Sequence, residues 1–148
     1  MNPSRELLGD TPVVSDAAAL PIGGQRRRLP LTGLPRPVAH ARTFTAAALA
    51  HWSWPDPDRA SDIVLLVTEL VANAAVHADG PLELVLHASA ARLRIEVSDR
   101  SPALPAPRRP RHPGLPGGHG LFIVQQTSDR WGTAPHRHGK TVWAEFDR

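Results

Sequence analysis

Glu69 and Asn73 stand one helical turn apart in the stretch TELVANAAVHA, Thr68 to Ala78, among residues that favour burial. At about 100° per residue the two side chains project about 40° apart, Asp62 falls within about 20° of Glu69 two turns earlier, and His77 prolongs the line. An acid beside an amide on the rim of a core suits a magnesium–phosphate site. The amide oxygen is a neutral hard ligand, and the carboxylate can orient or deprotonate an attacking hydroxyl. From the helix alone the alternative stays open: a solvated stripe, with Asn73 hydrogen-bonded to a neighbouring loop.

Asp99 closes an alternating strand where a proline-rich loop begins. A carboxylate there can accept a hydrogen bond from an exocyclic amine, or simply form a turn. In GGHGL, Gly117, Gly118 and Gly120 let backbone approach a phosphate closely, and the helix that follows offers unpaired N–H groups. No Lys-Ser or Lys-Thr follows the last glycine, so this is not a Walker A loop, and no βαβ unit surrounds it, so it is not a dinucleotide fingerprint. His136 and His138 are spaced to face one way on a strand, but with no cysteine and no third positioned ligand they read as a solvated hairpin tip. His40 lacks the following Glu and downstream Pro of a phosphoacceptor histidine. Trp52, Trp54, Trp131 and Trp143 are dispersed, as core and rim aromatics are, rather than grouped as a base-stacking platform.

The elements that must position these residues follow from periodicity. Val38, Ala41, Thr45, Ala48, Leu49 and Trp52 describe one stripe of a helix ending near HWSWPDPD. Asp56 can cap a second helix over about Pro57 to His77, with Pro57 in the first turn and Asp58 at the positive end of the dipole. Ile63, Leu66, Val67, Leu70, Val71 and Ala74 are its core face, with Ala75 beside them. Two strands, Leu82 to Ala88 and Arg92 to Asp99, joined by Ser89-Ala90-Ala91, predict an antiparallel hairpin. Six prolines between Arg100 and Gly117 exclude helix and interior strand there. A third helix is expected over about His119 to Ser128, then strands near Arg130 to Thr133 and Lys140 to Phe146, with a short strand earlier, near Arg28 to Thr32. The sum is an α+β two-layer sandwich, one mixed, mostly antiparallel sheet covered on one face by about three helices.

Composition sets the outer bounds. With 148 residues, 41% of them hydrophobic, the chain is sized for one domain with a core. The absence of cysteine excludes disulfides, thiolate metal sites and cysteine nucleophiles. No apolar run could span a bilayer and the N-terminus lacks a secretory pattern, so a cytoplasmic protein without membrane contact is expected. Lys140 is the single lysine among 17 basic residues, and so much arginine beside abundant Ala and Pro fits a GC-rich coding bias. The high pI is therefore weak support for a nucleic-acid partner.

In order and spacing, ELVANAAVHA, VSDRSP, GGHGL and GKTVWAEF resemble the N box, G1 box, G2 box and closing strand of the Bergerat-fold (GHKL) ATP-binding domain. That superfamily includes gyrase, histidine kinases and MutL. The chain is most similar to its bacterial anti-sigma-factor serine/threonine kinases and their actinobacterial relatives, which share the ending DRWG…GKTVW. The resemblance covers about residues 28–148, leaving 1–27 as a disordered N-terminal tail and making 100–117 a lid. It implies ATP and Mg²⁺ as cofactors, with Asn73 ligating the metal and Glu69 as general base or orienting group. It further implies Asp99 on the adenine amine with help from Thr141, and Gly118, His119, Gly120 and Leu121 as the phosphate-cradling turn. The implied activity is transfer of the γ-phosphoryl group to a serine of an anti-anti-sigma (STAS-type) partner, with sequestration of a sigma factor as a further role and a homodimer as the assembly. Where the G1 box usually continues Asp-x-Gly, this chain has Asp99-Arg100-Ser101. That departure favours the alternative, a protein-interaction module on the same fold with weak or no nucleotide binding.

Overall fold

Asp56 starts the longest helix by accepting hydrogen bonds at Oδ1 from the backbone N–H groups of Asp58 and Arg59 at 3.0 and 3.3 Å. In the computed structural model, which describes residues 24–77, 80–101 and 120–148, this helix is α2, Pro57–His77. It follows α1, Pro37–His51, and precedes the hairpin of β2, Pro81–Ala88, and β3, Arg92–Asp99. Helix α3, Gly120–Thr127, then leads to β4, Arg130–His136, and β5, Gly139–Asp147, while β1, Gln25–Pro30, comes first in the chain. The strands lie in the order β1-β2-β3-β5-β4. Every pairing between described strands is antiparallel, so the sheet is not mixed.

Strand alternation gives the sheet two unlike faces. Leu84, Leu86 and Ala88 of β2 pair with Val97, Ile95 and Leu93 of β3, which pair in turn with Val142, Ala144 and Phe146 of β5. These rows are buried beneath Ile63, Leu66, Val67, Leu70, Val71 and Ala74 of α2. Helix α1 packs on α2 through Ala41, Ala48, Leu49 and Trp52, and α3 packs on α2 with Val124 buried. Ala75 is exposed instead of joining the core. No helix among the described residues is long and apolar enough to cross a membrane.

The first strand begins at Gln25 rather than near Arg28, because its polar residues have work on the covered face. The Trp52 indole N–H donates to Gln25 Oε1 at 2.7 Å, Arg27 Nε donates to the same oxygen at 3.0 Å, and the Arg27 guanidinium lies 4.8 Å from the Trp52 ring centroid. Residues 24–27, expected in a disordered tail, therefore belong to the domain or its threshold, and the rest of that tail lies outside the described residues. Trp52 is 1% exposed, and Gln25 Oε1 is the acceptor that satisfies its indole N–H.

The other face carries charge. Arg130 donates to Glu145 Oε1 at 2.9 Å, and Arg94 donates to Glu145 Oε2 at 2.9 Å and Glu96 Oε2 at 2.8 Å. The Arg94 guanidinium also stacks 4.3 Å from the Trp143 ring centroid, and that ring lies over Gly132, where a Cβ would meet it at 2.7 Å. The hydrogen bond from Arg130, seconded by Arg94, holds the Glu145 carboxyl below the usual carboxylate range despite its partial burial.

Two outcomes are expected. Gln25→Ala costs about 1–3 kcal/mol in equilibrium unfolding, the cost of a buried indole N–H left unpaired. Glu145 is deprotonated more readily folded than unfolded, so its contribution is present at neutral pH and fades as pH falls through its depressed folded value. Glu145→Gln should lower Tm by about 2–6 °C at pH 7, and the gap to wild type should close below about pH 4 in thermal melts.

Candidate functional site

Helix α2 buries one side and leaves a polar flank. Asp62, Glu69 and Asn73 are each half-buried, and neither Glu69 nor Asn73 forms a side-chain hydrogen bond or ion pair with another described residue. They are absent from the apolar groove of about 710 Å³ between α1 and α2, which is lined by Ala60, Ser61, Val64, Leu65 and Thr68 of α2. By helical periodicity the polar stripe occupies the flank away from α1. The side chain of His77 lies outside the described residues.

Connectivity brings this flank to one end of the sheet. Residues 78–80 join the end of α2 to Pro81, and Pro81 pairs with Asp99, so Asn73, one turn from the helix end, and Asp99 lie toward the same end. The start of β5 is there too, since Asp99 pairs with Lys140. Helix α3 finishes at the opposite end, where Asp129 N–H donates to the Glu145 carbonyl at 2.9 Å and Arg130 pairs with Glu145. Its first turn, which includes Gly120 and Leu121, is thereby the end directed toward Asp99. Gly118 and His119 lie outside the described residues, as does the expected lid beyond Ser101.

Asp99 itself is not open to solvent. It is 3% exposed, and Lys140 Nζ donates to Oδ1 at 3.0 Å and to Oδ2 at 2.9 Å. The backbone N–H of Ser101 donates to Oδ1 at 2.8 Å. The apolar rows of the sheet thus end in a row of Pro81, Asp99, Lys140 and Pro135, an ion pair between two prolines. Gly139, with φ of 151°, permits the close fit: a Cβ there would lie 1.9 Å from the Asp99 carbonyl oxygen.

Thr141 is not beside Asp99. Alternation along β5 turns Lys140, Val142 and Ala144 to the helices and Thr141 to the other face. There its hydroxyl pairs with that of Ser98 at 2.8 Å, in a polar crevice of about 430 Å³ shared with Arg28, Glu83 and His136. Thr141 thus faces away from Asp99, and the β5 residue that shares a face with Asp99 is Lys140. His136 and His138 are exposed around the β4–β5 turn, and the described residues contain no cluster of metal-ligating side chains.

The model of the histidine kinase-like ATPase domain matches residues 31–146, nearly all of the described fold. The chain belongs to that family. Membership supports the Bergerat-fold resemblance, and with it a domain built for ATP, in this family usually with Mg²⁺. No curated protein matches the chain.

The donor set fits such a ligand on its phosphate side. A half-exposed amide and a carboxylate, neither engaged by another described side chain, suit a hydrated divalent cation and phosphate oxygens. On the base side the fit requires Asp99 to release a partner. Thr141→Val should leave affinity for Mg-ATP within about twofold of wild type while costing about 0.5–1.5 kcal/mol of stability. Calorimetric titration and denaturant unfolding of one preparation check both.

Proposed function

We propose that this domain binds ATP with Mg²⁺ at the end of the sheet where α2, β3 and β5 meet, and acts as a serine/threonine protein kinase of the anti-sigma type. The observation that carries the proposal is the pairing of Glu69 and Asn73, two polar side chains without described partners bordering the core face of α2. Asn73 would offer its amide oxygen to the metal, which when bound neutralises phosphate charge. Glu69, one turn earlier, would hold the attacking serine hydroxyl and accept its proton. The turn leading into α3 would receive phosphate oxygens on backbone N–H groups. Phosphoryl transfer is chiefly positioning and charge stabilisation, so one base and one metal suffice. The acceptor is a serine of a STAS-type partner, with a sigma factor as a second partner and a homodimer as the assembly.

A second reading is favoured by one specific observation. Asp99 is already bonded by Lys140 and Ser101, which supports a protein-interaction module whose nucleotide affinity is weak.

Titration with Mg-ATP separates the two. Asn73→Ala is expected to weaken metal-dependent binding about tenfold or more, whereas Glu69→Gln keeps affinity within about twofold and lowers phosphorylation of a serine-bearing partner about 100-fold. Folded wild-type protein that binds no Mg-ATP and phosphorylates no partner would refute the kinase reading.

A further inference from the structure

Lys140 faces Asp99 across the ladder, and it is the chain's single lysine. An ionised carboxylate has about four acceptor positions. Lys140 and the Ser101 N–H occupy three of those on Asp99, and the side chains of Lys140 and Asp99 are only 6% and 4% exposed. Two prolines flank the pair in the sheet, and Gly139 leaves no gap between β5 and the Asp99 carbonyl. One acceptor position is left over, but the side chain is buried, so the ammonium is the group whose movement would make room for an exocyclic amine. The ammonium is itself an N–H donor, and so a chemical stand-in for the amine of a purine.

We infer that Lys140 is an internal occupant of the purine subsite, holding Asp99 closed until a nucleotide displaces it. The inference rests on the nucleotide reading above and adds the residue that limits it. Lysine suits the task, being a compact cation on a flexible stem, where a guanidinium would bind the carboxylate as a rigid fork. Because only molecules with the pair open are competent, apparent affinity falls by the fraction open. The penalty applies to the base alone, since the Glu69–Asn73 flank makes no described contact with the pair.

The test uses the full chain and two readouts. In the wild type, acetic anhydride labelling of Lys140, followed by peptide mass spectrometry, should accelerate when saturating Mg-ATP is added and stay unchanged with tripolyphosphate. Lys140→Thr should bind Mg-ATP about tenfold tighter than wild type, as expected if about a tenth of molecules are open, with tripolyphosphate affinity within about twofold. Because that substitution leaves Asp99 buried without its cation, Lys140→Gln, which keeps a neutral donor, serves if Lys140→Thr does not fold. Equal or weaker ATP binding by the variants, or labelling that slows on ATP binding to the wild type, overturns the inference while leaving the nucleotide reading intact. Failure of wild type and folded variants alike to bind Mg-ATP overturns both.

Discussion

A sheet with one covered face needs an element to cover it, and α2 meets that constraint. Six of its apolar residues lie on the rows formed by β2, β3 and β5, while α1 and α3 pack against it from its sides. Those positions leave the flank away from α1 for Glu69 and Asn73. Glu69 and Asn73 are held there by the burial of Leu66, Leu70 and Ala74 around them. Rotation of α2 that buried the stripe would expose apolar area, at about 25 cal/mol per Å². The core thus fixes the direction in which these two side chains project.

At the strand ends the same rows change character. Four apolar layers would have been the simple continuation, but the row containing Asp99 and Lys140 is ionic and nearly dry. A buried pair of this kind gains Coulomb energy but loses hydration, so its net contribution is small even though deleting one partner is severe. Its presence on the covered face marks where the apolar rows stop more than it adds stability. That distinguishes it from the half-buried lattice around Glu145, whose arginine partners still reach water and join neighbouring strands.

Most of the scaffold was legible because apolar period and burial agree. The limits of α2 and β3 follow from a capping Asp and from strict alternation, and both coincide with the structure. β1 was placed too late because QRRRLP carries no apolar alternation before Leu29, and the use of Gln25 and Arg27 depends on a tryptophan distant in sequence. Thr141 was misplaced although the signal was available. Counting in twos from Val142, Ala144 and Phe146 puts Lys140 inward and Thr141 outward. Lys140 turns inward, against the usual solvation of lysine, because a carboxylate faces it across the ladder.

The strand order also has a kinetic meaning. β2–β3 and β4–β5 are hairpins closed by short turns, but the β3–β5 pairing joins residues 41 (Asp99 and Lys140) to 55 (Arg92 and Asp147) positions apart and closes a much longer loop. Asp99 arrives on one hairpin and Lys140 on the other. Their ion pair therefore lies at the seam where the β2–β3 and β4–β5 hairpins join.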